Sequence, residues 1–281
     1  MQTDVRHLDH SAAHRSTRSE LLVSQLTQRS DADWEVDLSL PRSHWLCHPS
    51  PGLVPLTLTA EALRQAGLAV CVAGLGMDPS VHFVISALSA HTDREQLVFP
   101  RFGAFECTAA VSFAEIVYRK GLPHRLEVGY TIGTAVTAHI SAQVLSDLDY
   151  RVVRRGAQAL GDAVFEHAET LLIDPVRTGA SARATLGVNE ADPFFFDHPV
   201  DHLPGMLLLH AAAALHEHAT GAPATTVEIT FPAFAELRVP THLHAEIDKV
   251  SSRTTISQGD RSVAEVFAKS AGVLAGGAAH V

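Results

Sequence analysis

FFFDHPVDHLPGMLLLHAAAALHEHA, residues 194–219, is the stretch on which the reading of the fold turns. From Met206 to Leu215 it is apolar on nearly every side of a helix, and such a helix has to be enclosed by protein. Gly205 opens that helix and Gly221 lies just beyond its end, the ordinary place for a glycine stop. An earlier stretch, PLTLTAEALRQAG at 55–67, has the same build, with Leu58, Ala62, Leu63 and Ala66 at helical spacing. Superposing 55–67 on 204–216 sets Glu61 opposite His210 and Arg64 opposite Ala213. Two like units imply a duplicated α+β chain, each half an antiparallel sheet curved around one central helix. The competing reading is two unrelated α+β domains.

Outward from these helices the pattern is that of strands. In WEVDLSL, Trp34, Val36, Leu38 and Leu40 share one face, and LLVSQLT precedes them. The first helix runs on through AVCVAGLG to Gly74 and Gly76, and strand patterns follow at 82–89, 104–118 and 125–144. The last two are joined by the KGLP turn into a long hairpin. The second half repeats the order. Strands are expected at 145–153 and 162–173 about a turn near Gly156–Gly161, then a loop over 174–192 and the helix. Strands at 225–233, 237–250, 253–257 and 262–274 complete it. The expected organisation is a flexible tail at 1–19 and two repeats, 20–144 and 145–281.

Composition bounds the function classes. With 46% hydrophobic and 19% charged residues the chain is an ordinary globular protein. Its net charge of −10 argues against a nucleic-acid partner, which calls for a basic surface. Cys47, Cys71 and Cys107 are odd in number and widely spaced, as in a reduced, cytoplasmic protein. The polar start lacks a signal-peptide apolar run, and no membrane span is expected. Neither His242-x-His244 nor His216-Glu217-His218 fits the HExxH pattern and there is no CxxC, so no metal is expected. A GxSxG elbow and a phosphate-binding glycine loop are both missing from the sequence.

The run DHPVDHLPGM (197–206) strongly resembles the signature of the A-factor biosynthesis (AfsA-like) proteins, and TAEALRQAG resembles their first-helix signature. Weaker matches fall at His14-Arg15 with Glu20, at HFVISAL (82–88) and at FPAFAEL (231–237), so the likeness spans about residues 14–270. It implies a double hotdog fold, in which each sheet wraps a central helix. It also implies transfer of a β-ketoacyl chain from acyl carrier protein or CoA to the hydroxyl of dihydroxyacetone phosphate in γ-butyrolactone synthesis. The phosphopantetheine or CoA thioester would be a substrate, with no resident cofactor, in a monomer or homodimer.

Acyl transfer needs a base for the acceptor's proton and donors for the charge on the thioester oxygen. Glu61, on an apolar helix, is expected to have its pKa raised by burial and to act as that base or acid. Arg64, three residues on, would hold a phosphate or orient Glu61. Gly205 and Met206 would offer free helix-start N–H groups to an oxyanion. By the likeness to hotdog dehydratases, Glu61 would face His198 or His202 across the seam between repeats, with Asp197 and Asp201 on the substrate side. The competing structural reading has these four loop residues capping the helix and bracing the loop, and Glu61 and Arg64 as a plain ion pair. Arg151, Arg154 and Arg155 form a short basic run, read as a solvated face or as a dock for an acidic carrier.

The chain departs from the family pattern at the second helix, where Glu and Arg are replaced by His210 and Ala213. Either that pseudo-symmetric site has decayed, or His210 is a repurposed catalytic group. The alternatives to acyl transfer are a hotdog dehydratase or thioesterase, and an acyl- or carrier-binding module without catalysis.

Overall fold

A computed structural model of the chain describes residues 5–47, 52–157 and 167–271. The first half supplies β1 (Val5–His7), β2 (Val23–Gln28), β3 (Asp33–Leu40), the helix α1 (Leu56–Ala69), β4 (His82–Thr92), β5 (Phe105–Arg119), β6 (Leu122–Ile132) and β7 (Val136–Leu145). A short helix, α2 (Asp147–Val153), leads into the second half. There follow β8 (Leu172–Thr178), β9 (Ser181–Leu186), α3 (Gly205–Thr220), β10 (Thr226–Thr230), β11 (His242–Asp248), β12 (Ser251–Gln258) and β13 (Arg261–Lys269). Among the described residues these strands make one antiparallel sheet in the order β1-β2-β3-β5-β6-β7-β4-β10-β13-β12-β11-β9-β8. β4 and β10 join the halves, with Leu88 opposite Ile229 and Ala90 opposite Val227.

Each central helix packs on its own half of the sheet, α1 on β2 to β5 and β7, α3 on β8, β9 and β11 to β13, and the two helices touch. Every residue of α1 except Arg64 is buried. A turn of π-helix, Val70–Gly74, continues it. The one described stretch long and apolar enough to cross a bilayer is this same Leu56–Gly74, and it is 83% buried inside the fold. α3 ends on Gly221 in the left-handed conformation (φ 78°). The alternation of β3 is realised in full, with Trp34, Val36, Leu38 and Leu40 all buried.

Helix α1 approaches the sheet so closely at Gly67 that a Cβ there would collide with the hydroxyl of buried Tyr130 and lie 3.2 Å from its Cζ. Overpacking costs about 1–3 kcal/mol, against a helix-propensity gain of about 1 kcal/mol for Gly→Ala. Gly67→Ala is therefore expected to lower the melting temperature, and much less so, or not at all, in a Tyr130→Phe background. Equal tolerance in both backgrounds, by thermal denaturation, would refute this account of the contact.

Several expectations are corrected. Residues 1–19 are not a loose tail from Val5 on: β1 pairs with β2, and a 3₁₀ turn over His10–Ala13 follows. Polar composition hides this, because the segment is held by strand hydrogen bonds and by burial of only a few small apolar side chains, Ala12 and Ala13 among them. The stretch 125–144 is two strands, not one, turning at Gly133 (φ 49°). Residues 147–153 are helical instead of extended. Ser146 caps this helix by accepting from the Asp149 N–H at 3.1 Å, and Asp147 pairs with Arg151 at 2.7 Å. The segment 174–192 is not a plain loop but carries the β8–β9 hairpin, whose outer strand is largely exposed and so shows no alternation. The strand expected over 237–250 begins only at His242. Of the strand expected at 162–173, residues 162–166 lie outside the described ones, as does most of the Gly156–Gly161 turn, and of the rest only Leu172 and Ile173 belong to a strand, β8.

Candidate active site

A cavity of about 1030 Å³ opens at the seam between the two repeats. Glu61, Arg64 and Leu68 line it from α1, Gly205, Met206 and Leu209 from α3, and His198 and His202 from the loop before α3. Most of the expected site residues are thus brought to one space. His210 and Asp197 are the exceptions: Asp197, expected on the substrate side, is buried against Ser16 and Thr17, and His210 also lies outside that lining. It contacts Thr57 (Oγ1 to Nδ1 3.3 Å), Trp45 and Phe195, and burial, then the charge of His44, pushes its pKa down to about 4.

Glu61 does not carry the expected raised pKa. One carboxylate oxygen accepts from Arg15, from Arg64 Nη2 at 2.8 Å and from Gln65 Nε2 at 3.0 Å; the other accepts from Arg64 Nε at 2.7 Å. Burial, the largest influence, works to raise its pKa. The charges of Arg64 and Arg15, with hydrogen bonds from Arg64 and Gln65, outweigh it and bring the pKa down to about 2. Neither His198 nor His202 is among its hydrogen-bond partners. Glu61 is therefore a held anion at neutral pH, not a base waiting for a proton.

Arg64 contributes most to this reversal, and next comes Arg15, which spacing could not single out. The two-residue family match at His14-Arg15 was the only signal. His14 takes the left-handed conformation (φ 51°) at the end of the 3₁₀ turn, which costs roughly 1–2 kcal/mol for a residue with a Cβ. That bend sends the Arg15 side chain, 4% exposed, onto Glu61, while its Nη1 donates to the Phe194 carbonyl at 2.7 Å. The next residues hold Asp197: the Ser16 N–H and the Thr17 hydroxyl (3.2 Å) both donate to its carboxylate. The N-terminal segment thus ties α1 to the loop of the second repeat. Arg15 and Arg64 are balanced by Glu61 and by buried Asp197, whose charge also reaches Arg64, so this end of the cavity is ionic without excess charge. Arg64 is the part that faces out, with about a fifth of its side chain exposed (21%).

Around this ionic end the imidazoles of His14 and His198 are pushed toward the neutral form. Burial, then the charges of Arg64, His198 and His82, lowers His14 to about 4, and its Nε2 is buried with no hydrogen-bond partner. Burial and then Arg64 lower His198, against an opposing pull from Asp197, whose Oδ2 lies 3.9 Å from Nδ1.

The other wall is a tighter network. Asp201 lies 2.7 Å from both His202 Nδ1 and the Tyr150 hydroxyl, and it accepts from Arg154 Nε at 2.9 Å. Arg154 also donates to both oxygens of Glu236, at 2.7 and 2.8 Å. This corrects the reading of 151–155 as a solvated basic face: Arg151 and Arg155 are exposed, but Arg154 is buried and fully committed. Among the described residues no group of three or more His, Cys, Asp and Glu is arranged to hold a metal ion. At the start of α3 the Gly205 and Met206 amides have no intrahelical acceptor, as helix geometry requires, and both residues line the cavity.

Comparison with known proteins agrees with this architecture. The chain is 31% identical over 195 residues to a 2-oxo-3-(phosphooxy)propyl 3-oxoalkanoate synthase of Streptomyces coelicolor, covering 64% of this chain and 62% of that protein's length. It is 27% identical over 266 residues to the synthase of the same name from Streptomyces griseus, covering 87% of each. Among solved structures, an oleoyl thioesterase from Lactobacillus plantarum superposes with a TM-score of 0.53 at 15% identity, covering 86% of this chain and 98% of that one, a likeness of fold alone. The family model of the A-factor biosynthesis hotdog domain (AfsA) matches residues 1–145 and 165–278, and the chain belongs to that family.

Proposed function

We propose that this protein transfers a 3-oxoacyl group from a phosphopantetheine thioester, on carrier protein or CoA, to the hydroxyl of a phosphorylated three-carbon ketone such as dihydroxyacetone phosphate. The observation that carries the reading is the seam cavity, roomy and largely apolar along the helices, with the Arg64 guanidinium part-exposed at one end. An acyl chain fits the apolar part. A phosphate fits Arg64, which lines the cavity while Glu61 fixes its position. The printed names of the Streptomyces relatives describe a synthase of the corresponding ester.

In this reading the acceptor hydroxyl loses its proton to a neutral cavity imidazole and attacks the thioester carbon. The charge that develops on the carbonyl oxygen is met by the Gly205 and Met206 N–H groups. Glu61 takes no part in proton transfer: it keeps two arginines aligned. That also disfavours dehydration, which would ask this carboxyl to give or take a proton.

Incubation with a 3-oxoacyl thioester is expected to give ester only when dihydroxyacetone phosphate is present. Arg64→Leu is expected to raise the KM for the phosphorylated acceptor by about tenfold or more, a charge-assisted contact being worth about 1.5–3 kcal/mol, with the thioester KM little changed. Thiol release independent of the acceptor would instead establish a hydrolase.

A further inference from the structure

Four histidines line the cavity, and their surroundings differ in a way that assigns the proton transfer; His82 stacks on Tyr150, and its Nε2 lies 3.6 Å from exposed Asp147. His14 has its Nε2 sealed from solvent. His198 has only a 3.9 Å approach to Asp197, whose carboxylate already accepts from Ser16 and Thr17. His202 alone has a carboxylate at 2.7 Å, on Nδ1. That carboxylate, acceptor-only and ionised, makes Nδ1 the donor and leaves Nε2 as the basic nitrogen. Among the described residues Nε2 has no hydrogen-bond partner, and 29% of the side chain is exposed.

We propose that His202 is the general base of the transfer, with Asp201, Tyr150 and Arg154 as its positioning residues; the assignment rests on the acyl-transfer reading above. The support runs deep into the second repeat. Arg154 locks Asp201 from Nε and Nη2, and Glu236 locks Arg154. Gln258 of β12 brackets the Glu236 peptide, accepting from its N–H at 2.8 Å and donating to its carbonyl at 2.7 Å. Phe234 packs edge-on against the His202 ring at 4.9 Å, and Tyr150 stacks on His82 at 3.9 Å. An imidazole held by Asp201, Tyr150 and Phe234 keeps one orientation, as a base acting on a bound alcohol requires. Chain geometry also ties it to the oxyanion donors. His202 precedes Gly205 by three residues, at most about 10 Å of chain, so DHLPGM carries base and N–H donors as one unit.

The step balances within the reactants. The acceptor O–H proton passes to His202 Nε2 as the new C–O bond forms at the thioester carbon. When the C–S bond breaks, the departing thiolate takes that proton back as a thiol.

The test compares His202→Ala, His198→Ala, Asp201→Asn and Tyr150→Phe for transfer from a 3-oxoacyl thioester to dihydroxyacetone phosphate. His202→Ala is expected to lose about 100-fold or more in kcat with the thioester KM unchanged, and to recover part of the loss on addition of imidazole. Asp201→Asn and Tyr150→Phe are expected to lower kcat about tenfold or more and about threefold to tenfold, again without a change in KM. Should His202→Ala not fold, the kcat-only loss in Asp201→Asn decides the matter. Transfer by the unaltered protein with imidazole rescue in His198→Ala, or an unimpaired His202→Ala or Asp201→Asn, would overturn this assignment and leave the acyl-transfer reading standing. No transfer by the unaltered protein would overturn both.

Discussion

Replacing Glu61 with alanine is expected to cost about 3–5 kcal/mol of folding stability and to abolish turnover. Arg64 can turn its charge toward the cavity, but Arg15, at 4% exposure, has nowhere to go. Removing the carboxylate leaves that guanidinium buried with the Phe194 carbonyl as its one remaining hydrogen-bond acceptor among the described residues. A loss of this size is a large part of the stability of an ordinary domain, about 5–15 kcal/mol. Glu61→Gln keeps an oxygen in place but not the charge, so it is expected to lose stability as well. A double change, Glu61→Leu with Arg15→Met, removes both ions and is expected to be less damaging than the sum of the single ones. Denaturant unfolding measures all of these. If Glu61→Ala came within about 1 kcal/mol of the natural protein, the buried ion cluster would not be what joins the repeats here.

The second large effect is acid lability. His14, His44, His210 and His216 are each pushed from the ordinary 6.5 down to about 4, in every case first by burial. His216 shows the cause most simply, fully buried with both ring nitrogens 2.8 Å from the hydroxyls of Ser252 and Ser270. Protonation would not break those contacts, but it would place a charge in the core. Between pH 6.5 and 4 the unfolded chain binds protons that the folded chain refuses. The stability these groups give is therefore whole above about 6.5 and is lost as pH falls toward 4. Each proton of difference is worth about 1.4 kcal/mol per pH unit. Below about 4.5 the depressed pKa of Glu61 adds to the loss, while Glu20, raised chiefly by burial, opposes it. The melting temperature is expected to drop steeply from pH 6.5 to 4, with net proton uptake on unfolding at pH 5 by calorimetry in buffers of different ionisation heat. A flat profile from pH 7 to 5 would show that these imidazoles are not sealed as described.

How much of this was readable beforehand differs between fold and site. Two apolar helices at matching positions, and strands such as WEVDLSL with period-two burial, carried the duplicated α+β architecture. Burial of a whole helix leaves its mark directly in composition. The linker helix at 147–153 and the β8–β9 hairpin were misread because their faces are exposed or their stabilisation is local and polar. Of the site, DHPVDHLPGM and TAEALRQAG named the right segments, and the cavity brings Glu61, Arg64, His198, His202, Gly205 and Met206 together. The protonation state of Glu61 came out reversed, because burial alone raises a carboxyl pKa and only a count of neighbouring cations reverses that sign.

The amino-acid sequence by itself determined which segments form the two buried helices, the duplication, and the stretch that lines the seam, since these follow from side-chain periodicity along one segment. What only the tertiary structure decided is which charges meet. Arg15 and Glu61 are 46 residues apart, Arg154 and Glu236 are 82 apart, and Tyr150 reaches Asp201 across 51. Coulomb and hydrogen-bond energies act over a few ångströms of space and are blind to separation along the chain. The ionisation of Glu61 and the orientation of His202 therefore exist only once each repeat has folded and brought these distant residues together.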